Sequence, residues 1–169
     1  PATGKPVALK LAALTPGVSG NSAGAMLKSG GSQGLVAASL GSAPRDFLLR
    51  ARVKPAVRSA VFGLRIGAAN KMQDGLELRI EPRRGKVGLC DPNINSIEEN
   101  EYSSIYNVTG LDKPFDLELI VKGDIIDVCI NHGRTLAVRR SLSGQELFLF
   151  SRDGNVTFSD LEVRPLKAR

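Results

Sequence analysis

The chain has 169 residues, 42% hydrophobic and 24% charged, with a formal net charge of +6. That length and balance fit one soluble globular domain with a real core. No apolar run is long enough to cross a bilayer, and the basic residues are scattered through the chain rather than gathered in one arm or helix, which argues against membrane insertion and nucleic-acid binding.

In chain order, residues 1–5 read as a leader and 7–14 as a first strand. Residues 15–45 are rich in Gly, Ser and Ala, with short apolar pieces at 25–27 and 34–37 that read as short strands between tight turns. From Asp46 the alternation sharpens. Phe47, Leu49, Ala51 and Val53 alternate with Arg50, Arg52 and Lys54. Phe62, Leu64 and Ile66 alternate with Gly63 and Arg65, and Leu76, Leu78 and Ile80 with Glu77, Arg79 and Glu81. Pro82-Arg83-Arg84-Gly85 is a turn, after which Val87 and Leu89 resume the inward face. Residues 91–110 read as one long irregular loop, with room for a short turn of helix at 95–102; long loops in compact domains are often functional.

The stretch 115–140 is the clearest. Leu117, Leu119 and Val121 share one face; after the turn at Lys122-Gly123-Asp124, so do Ile126, Val128 and Ile130. A period of two over both arms specifies an antiparallel hairpin with one buried face, and glycine in the turns at 122–124 and 131–134 supplies the positive φ that tight loops need. Leu147–Phe150 is apolar on both faces, as in a central strand. Val156 and Phe158 have one parity and Leu161 and Val163 the other, so a bulge is expected at Ser159-Asp160. Strands every ten residues or so, with no helical stripe, predict a single all-β antiparallel sandwich or jelly roll.

No catalytic constellation is visible. His132 is the lone histidine, and there is no metal-spaced cluster or phosphate-cradling loop. The expectation is a domain without catalysis. Zero Trp and two Tyr leave no flat platform for sugar rings. What remains is a hydrogen-bonding pocket of acids, arginines and amides: Asp91, Glu118, Asp127 and Arg139, with Glu77 and Arg79, closed by Tyr102 and Tyr106 from the long loop. For each strand residue the competing reading is a solvated cross-strand ion pair, and the stripe Arg50, Arg52, Lys54 is read that way. Cys90 and Cys129 are expected to be free thiols. No cofactor is expected. Calcium could find hard oxygens at Asp91-Pro92-Asn93, Asp124 and Asp153-Gly154-Asn155, all equally ordinary turn residues, and it is not favoured. Asn107-Val108-Thr109 fits a glycosylation sequon.

The segment Ile126-Asp127-Val128-Cys129-Ile130-Asn131-His132-Gly133, followed by Leu136-Ala137-Val138-Arg139, carries a family likeness. It resembles the Val-Glu-Val-Phe-(Val/Ile)-Asn-Asp-Gly strand of the C-terminal β-sandwich of family-32 glycoside hydrolases and of the levan-binding family-66 carbohydrate-binding modules. Asp127 stands for the family's Glu, Cys129 for its Phe and His132 for its Asp. The likeness covers about residues 46–166. It implies a jelly roll of the concanavalin A-like lectin/glucanase type. It also implies a polysaccharide or oligosaccharide ligand, held by the terminal residue of a fructan or related glycan, and a catalytic domain in the same polypeptide. The expected state is a monomer, secreted, periplasmic or at the cell surface. The start at Pro-Ala-Thr-Gly, without Met or signal peptide, is read as a domain excised from a longer protein. The alternatives are a structural sandwich that packs on a catalytic domain without binding sugar, and a laminin-G-like protein-interaction module.

Overall fold

The computed structural model describes residues 3–29, 34–56, 61–92 and 101–167. Within them lie thirteen strands: β1 (Ala12–Ala13), β2 (Val18–Asn21), β3 (Gly24–Ser29), β4 (Val36–Ser42), β5 (Phe47–Pro55), β6 (Val61–Ala68), β7 (Leu76–Glu81), β8 (Lys86–Cys90), β9 (Glu101–Ile105), β10 (Phe115–Lys122), β11 (Ile125–Ile130), β12 (Arg134–Arg139) and β13 (Glu146–Pro165). Every ladder is antiparallel. One 3-10 turn, Pro82–Arg84, joins β7 to β8.

The strands form two layers that share β13. The first half of β13 sits between β4 and β6, giving the order β1-β4-β13-β6-β7-β8-β9. Its second half sits between β3 and β5, giving β2-β3-β13-β5-β10-β11-β12. The passage from one layer to the other occurs at 151–154, where Ser151 Oγ donates to Gly154 O and Gly154 takes a φ of 88°. The layers meet again on the far side, where Arg134 donates to Tyr106 O and Asn107 O and ties β12 to the segment after β9.

The inward parity of both layers is apolar, and it makes one core. Leu49, Val53, Leu119, Val128 and Phe158 from the second layer face Phe62, Leu64, Leu78, Val87 and Leu149 from the first. Phe62 bridges the two, stacked on Phe115 at 6.4 Å and edge-on to Phe158 at 6.5 Å. Each such side chain taken out of water contributes roughly 1.5–3 kcal/mol. The expected all-β antiparallel sandwich is therefore the observed fold.

Several local expectations change. The stretch 7–14 holds strand only at Ala12–Ala13. Val7 bonds to Val163 in the second layer and Lys10 to Leu40 in the first, so the segment crosses between layers and cannot run one ladder. The long loop 91–110 contains β9, an edge strand on β8; with half-buried or exposed side chains and none buried, Glu101–Ile105 carries little apolar alternation to reveal it. The helical turn expected at 95–102 falls mostly outside the described residues. Between β11 and β12 it is Asn131 and His132 that take positive φ, 48° and 55°, rather than Gly133. Asn tolerates that region because its short polar side chain bonds locally, and here Asn131 Oδ1 accepts from the Asp116 amide. The bulge in β13 is where the parity switch put it: the register on β5 shifts between Ser159 and Glu162, and Asp160 has a φ of 51°.

Candidate functional site

Strand alternation gives each layer an outer face, and the polar residues of this sandwich collect on both. They differ in access.

On the second layer, β5 and β10 pair so that Arg50 faces Glu118 and Arg52 faces Asp116. Arg50 Nε donates to Glu118 Oε2 at 2.8 Å, and Arg52 Nη1 to Asp116 Oδ1 at 2.7 Å. The row continues sideways: Glu162 of β13 faces Arg50, and Cys129 of β11 faces Glu118. His132 reaches over from the β11–β12 turn, with Nε2 3.9 Å from Asp116 Oδ2. Asp160, within the β13 register shift, also borders this row. Together these residues line an open groove of about 470 Å³. Its ion pairs are roughly half exposed, so they contribute little to stability, but they hold donors and acceptors in fixed positions that water can reach.

On the first layer, Arg65, Glu77, Arg79, Glu81, Lys86 and Cys90 point outward from β6, β7 and β8, and all six are buried. Glu77 accepts from Arg65 Nη2 at 2.5 Å, from Arg79 Nε at 2.8 Å and from Arg152 Nη2 at 3.4 Å. Lys86 Nζ lies against Glu101 and under the Tyr106 ring, 5.1 Å from its centroid. Burial works against that ammonium, but the bonds to Glu101 and Tyr106 outweigh it and hold its pKa above the ordinary lysine value. Burial likewise pushes the Cys90 thiol up to about 11. At the rim, Tyr102 donates to Asp91 at 2.7 Å, and the Arg140 guanidinium stacks 4.2 Å above the Tyr102 ring.

The eight residues singled out in the sequence thus fall into two groups on opposite faces. Glu77 and Arg79 lie within the buried network of the first layer, Tyr106 covers its edge, and Asp91 and Tyr102 pair at its rim. Glu118, Asp127 and Arg139 share the outer face of the second layer, but Glu118 alone lines the groove. Asp127 lies one row away, between Ile120 and Ala137, and Arg139 sits beyond it, paired with Asp124 at 3.2 Å. The groove's other charges went unread. Arg50 and Arg52 show the right alternation but read as solvated, and Glu162 has groove parity only once the bulge is counted. A larger cleft of about 590 Å³ opens at one end of the sandwich, but among the described residues its charged walls are only Arg45 and Asp124. Among the described residues no group of three His, Cys, Asp or Glu is placed to hold a metal ion. Cys90 and Cys129 are free and lie on opposite outer faces, which is why they do not bridge.

No protein-family model matches the sequence, and no curated protein matches it. Solved structures do. A carbohydrate-binding module of family 66 from Bacillus subtilis superimposes with a TM-score of 0.75 at 10% identity, covering 92% of this chain and 96% of that one. A fructosyltransferase from A. japonicus matches with a TM-score of 0.63 at 16% identity over 95% of this chain, which spans only 27% of that enzyme. The exoplasmic/lumenal domain of VIP36, bound to calcium and Man3GlcNAc, matches with a TM-score of 0.72 at 8% identity, over 96% of this chain and 85% of that one. The fold is a lectin-like β-sandwich of the kind found in family-66 modules and in the C-terminal domains of family-32 enzymes. The likeness read from residues 126–139 holds at the level of the fold.

Proposed function

We propose that this is a non-catalytic carbohydrate-binding domain that holds one end of a glycan chain in the groove over β5 and β10, and that its glycan is a fructan or a related polymer. The observation that carries this reading is the side-by-side placement of Arg50–Glu118 and Arg52–Asp116 in an open groove. Neighbouring sugar hydroxyls need a donor and an acceptor a few ångströms apart, and a guanidinium beside a carboxylate offers both. The pairs are already formed, so binding does not have to immobilise four free side chains.

Affinity is modest, since each hydroxyl trades a bond to water for one to protein. Its use is local concentration: a weak grip on the polymer raises the effective substrate concentration for a catalytic domain on the same polypeptide. The matches to fructosyltransferase and β-fructofuranosidase chains, of which this sandwich covers 27% and 26%, support such an attachment. They equally favour a second reading, in which the sandwich buttresses a catalytic domain and binds no sugar. Extracellular or lumenal placement agrees with the neighbours' setting, and no helix among the described residues is long and apolar enough to cross a membrane.

The test is affinity electrophoresis and calorimetry of the chain against levan, inulin, mannan and xylan, repeated with Glu118→Ala. Binding of one polymer, lost in the variant without loss of fold, supports the groove. Failure to retain any glycan favours the buttress.

A further inference from the structure

The buried network on the first layer has a charge imbalance that the groove does not share. Three guanidiniums, from Arg65, Arg79 and Arg152, converge on the single carboxylate of Glu77. Among the described residues the neighbouring acids are engaged elsewhere: Glu81 accepts from Arg84 at 3.2 Å, and Glu101 is paired with Lys86. Buried charge without a counter-charge is costly. Two guanidinium donors, Arg79 Nη1 and Arg65 Nε, are buried and have no hydrogen-bond partner among the described residues; both residues are 1% exposed, and Arg65 Nη1 donates to Met72 O. A buried donor left without an acceptor destabilises the fold. Arg152 borders the cluster on its open side. Its guanidinium lies over the Phe150 ring at 5.7 Å, its side chain remains 19% exposed, and its bond to Glu77 is the longest of the three.

We infer that the Arg65–Arg79–Arg152 cluster is a second binding site, which takes an oxyanion, either carboxylate or sulfate, admitted beside Arg152. Such a group supplies the missing negative charge and accepts from guanidinium edges that Glu77 leaves idle. Planar forked donors are suited to a two-oxygen acceptor, and the desolvated setting strengthens each bond. Burial, with Arg79 and Arg65 adding repulsion, lowers the Arg152 pKa below the ordinary arginine value despite Glu77, and an anion there relieves that strain. The site lies on the opposite face from the groove and does not depend on the groove's binding sugar. The oxyanion can belong to an acidic sugar or be free in solution.

Two measurements on the 169-residue chain test this. In thermal melts at matched ionic strength, sodium sulfate and galacturonate should raise the melting temperature saturably, while sodium chloride and galactose should not. Tighter binding of galacturonate than of sulfate identifies an acidic sugar as the natural source, and the reverse a free anion. Arg152→Gln should weaken either anion roughly tenfold or more. In the unsubstituted chain, sulfate should shift the arginine Nε–H resonances of Arg79 and Arg152 in nitrogen-correlated NMR and leave those of Arg50 and Arg52 in place. The proposal is overturned if chloride acts like sulfate, if folded Arg152→Gln binds as the parent does, or if the Arg79 and Arg152 resonances stay still. The NMR titration decides alone should Arg152→Gln fail to fold.

Discussion

Glu77 and Arg79 sit two residues apart on β7, and Arg79 Nε donates to Glu77 Oε1 at 2.8 Å. Alternation puts both on one face of the strand, and that face is buried, so the pair is an internal one. Glu77→Gln keeps the shape and removes the charge. It leaves three guanidiniums around a neutral amide and should cost about 3–5 kcal/mol. Urea denaturation of the variant checks this, and a loss under about 1 kcal/mol would show that the network is hydrated after all.

Glu118→Ala removes a carboxylate from an ion pair whose arginine is 56% exposed. Stability should fall by no more than about 1 kcal/mol, because water screens the pair and solvates the freed arginine. Glycan retention should be lost. Asp127→Ala, one row outside the groove, is the control: it should retain glycan nearly as the parent does. If Asp127→Ala abolishes binding and Glu118→Ala does not, the site lies nearer the β11–β12 edge. Parallel melts and affinity gels distinguish these cases.

Val128 is fully buried on β11, between Leu119 and Leu136. Val128→Asp places an unpaired carboxylate in the core and should leave the chain unfolded at room temperature. Circular dichroism and a flat thermal melt would show it. A cooperative transition near that of the parent contradicts the assignment of this parity to the core.

The Cys90 thiol, held at about 11 by burial, stays protonated in the folded chain at pH 8 and should resist alkylation there. Its folded pKa is raised, so in the unfolded chain the thiol ionises first as pH climbs. Its contribution is intact below about pH 9, the ordinary value, and is lost as pH rises toward 11. Cys90→Ala should flatten the fall in stability across that window. An identical slope in parent and variant, measured by denaturation at several pH values, assigns the fall to other groups.

A period of two is local, and it was legible wherever one face is apolar and the other polar. It placed β5, β6, β7, β10 and β11, the hairpin at 122–124 and the bulge at Ser159-Asp160. It passed over β9, whose side chains are half buried or exposed and carry no such contrast, and it misread 7–14, where the chain changes layers.

For the candidate sites the limit is sharper. In sequence, Glu77 and Arg79 alternate on β7 just as Asp116 and Glu118 do on β10. Alternation states that such residues leave the core. Whether they then meet solvent or become buried depends on chain far away in sequence. The groove pair Arg50–Glu118 joins residues 68 apart, and the cluster takes its third guanidinium, Arg152, from a position 75 residues beyond Glu77. The sequence by itself determined the strands with one apolar face, the parity of that face and the sandwich class, because these follow from neighbouring side chains on one pleat. Only the tertiary structure decided which polar face stayed open and which was buried with its charges, because desolvation is a property of everything packed around a group.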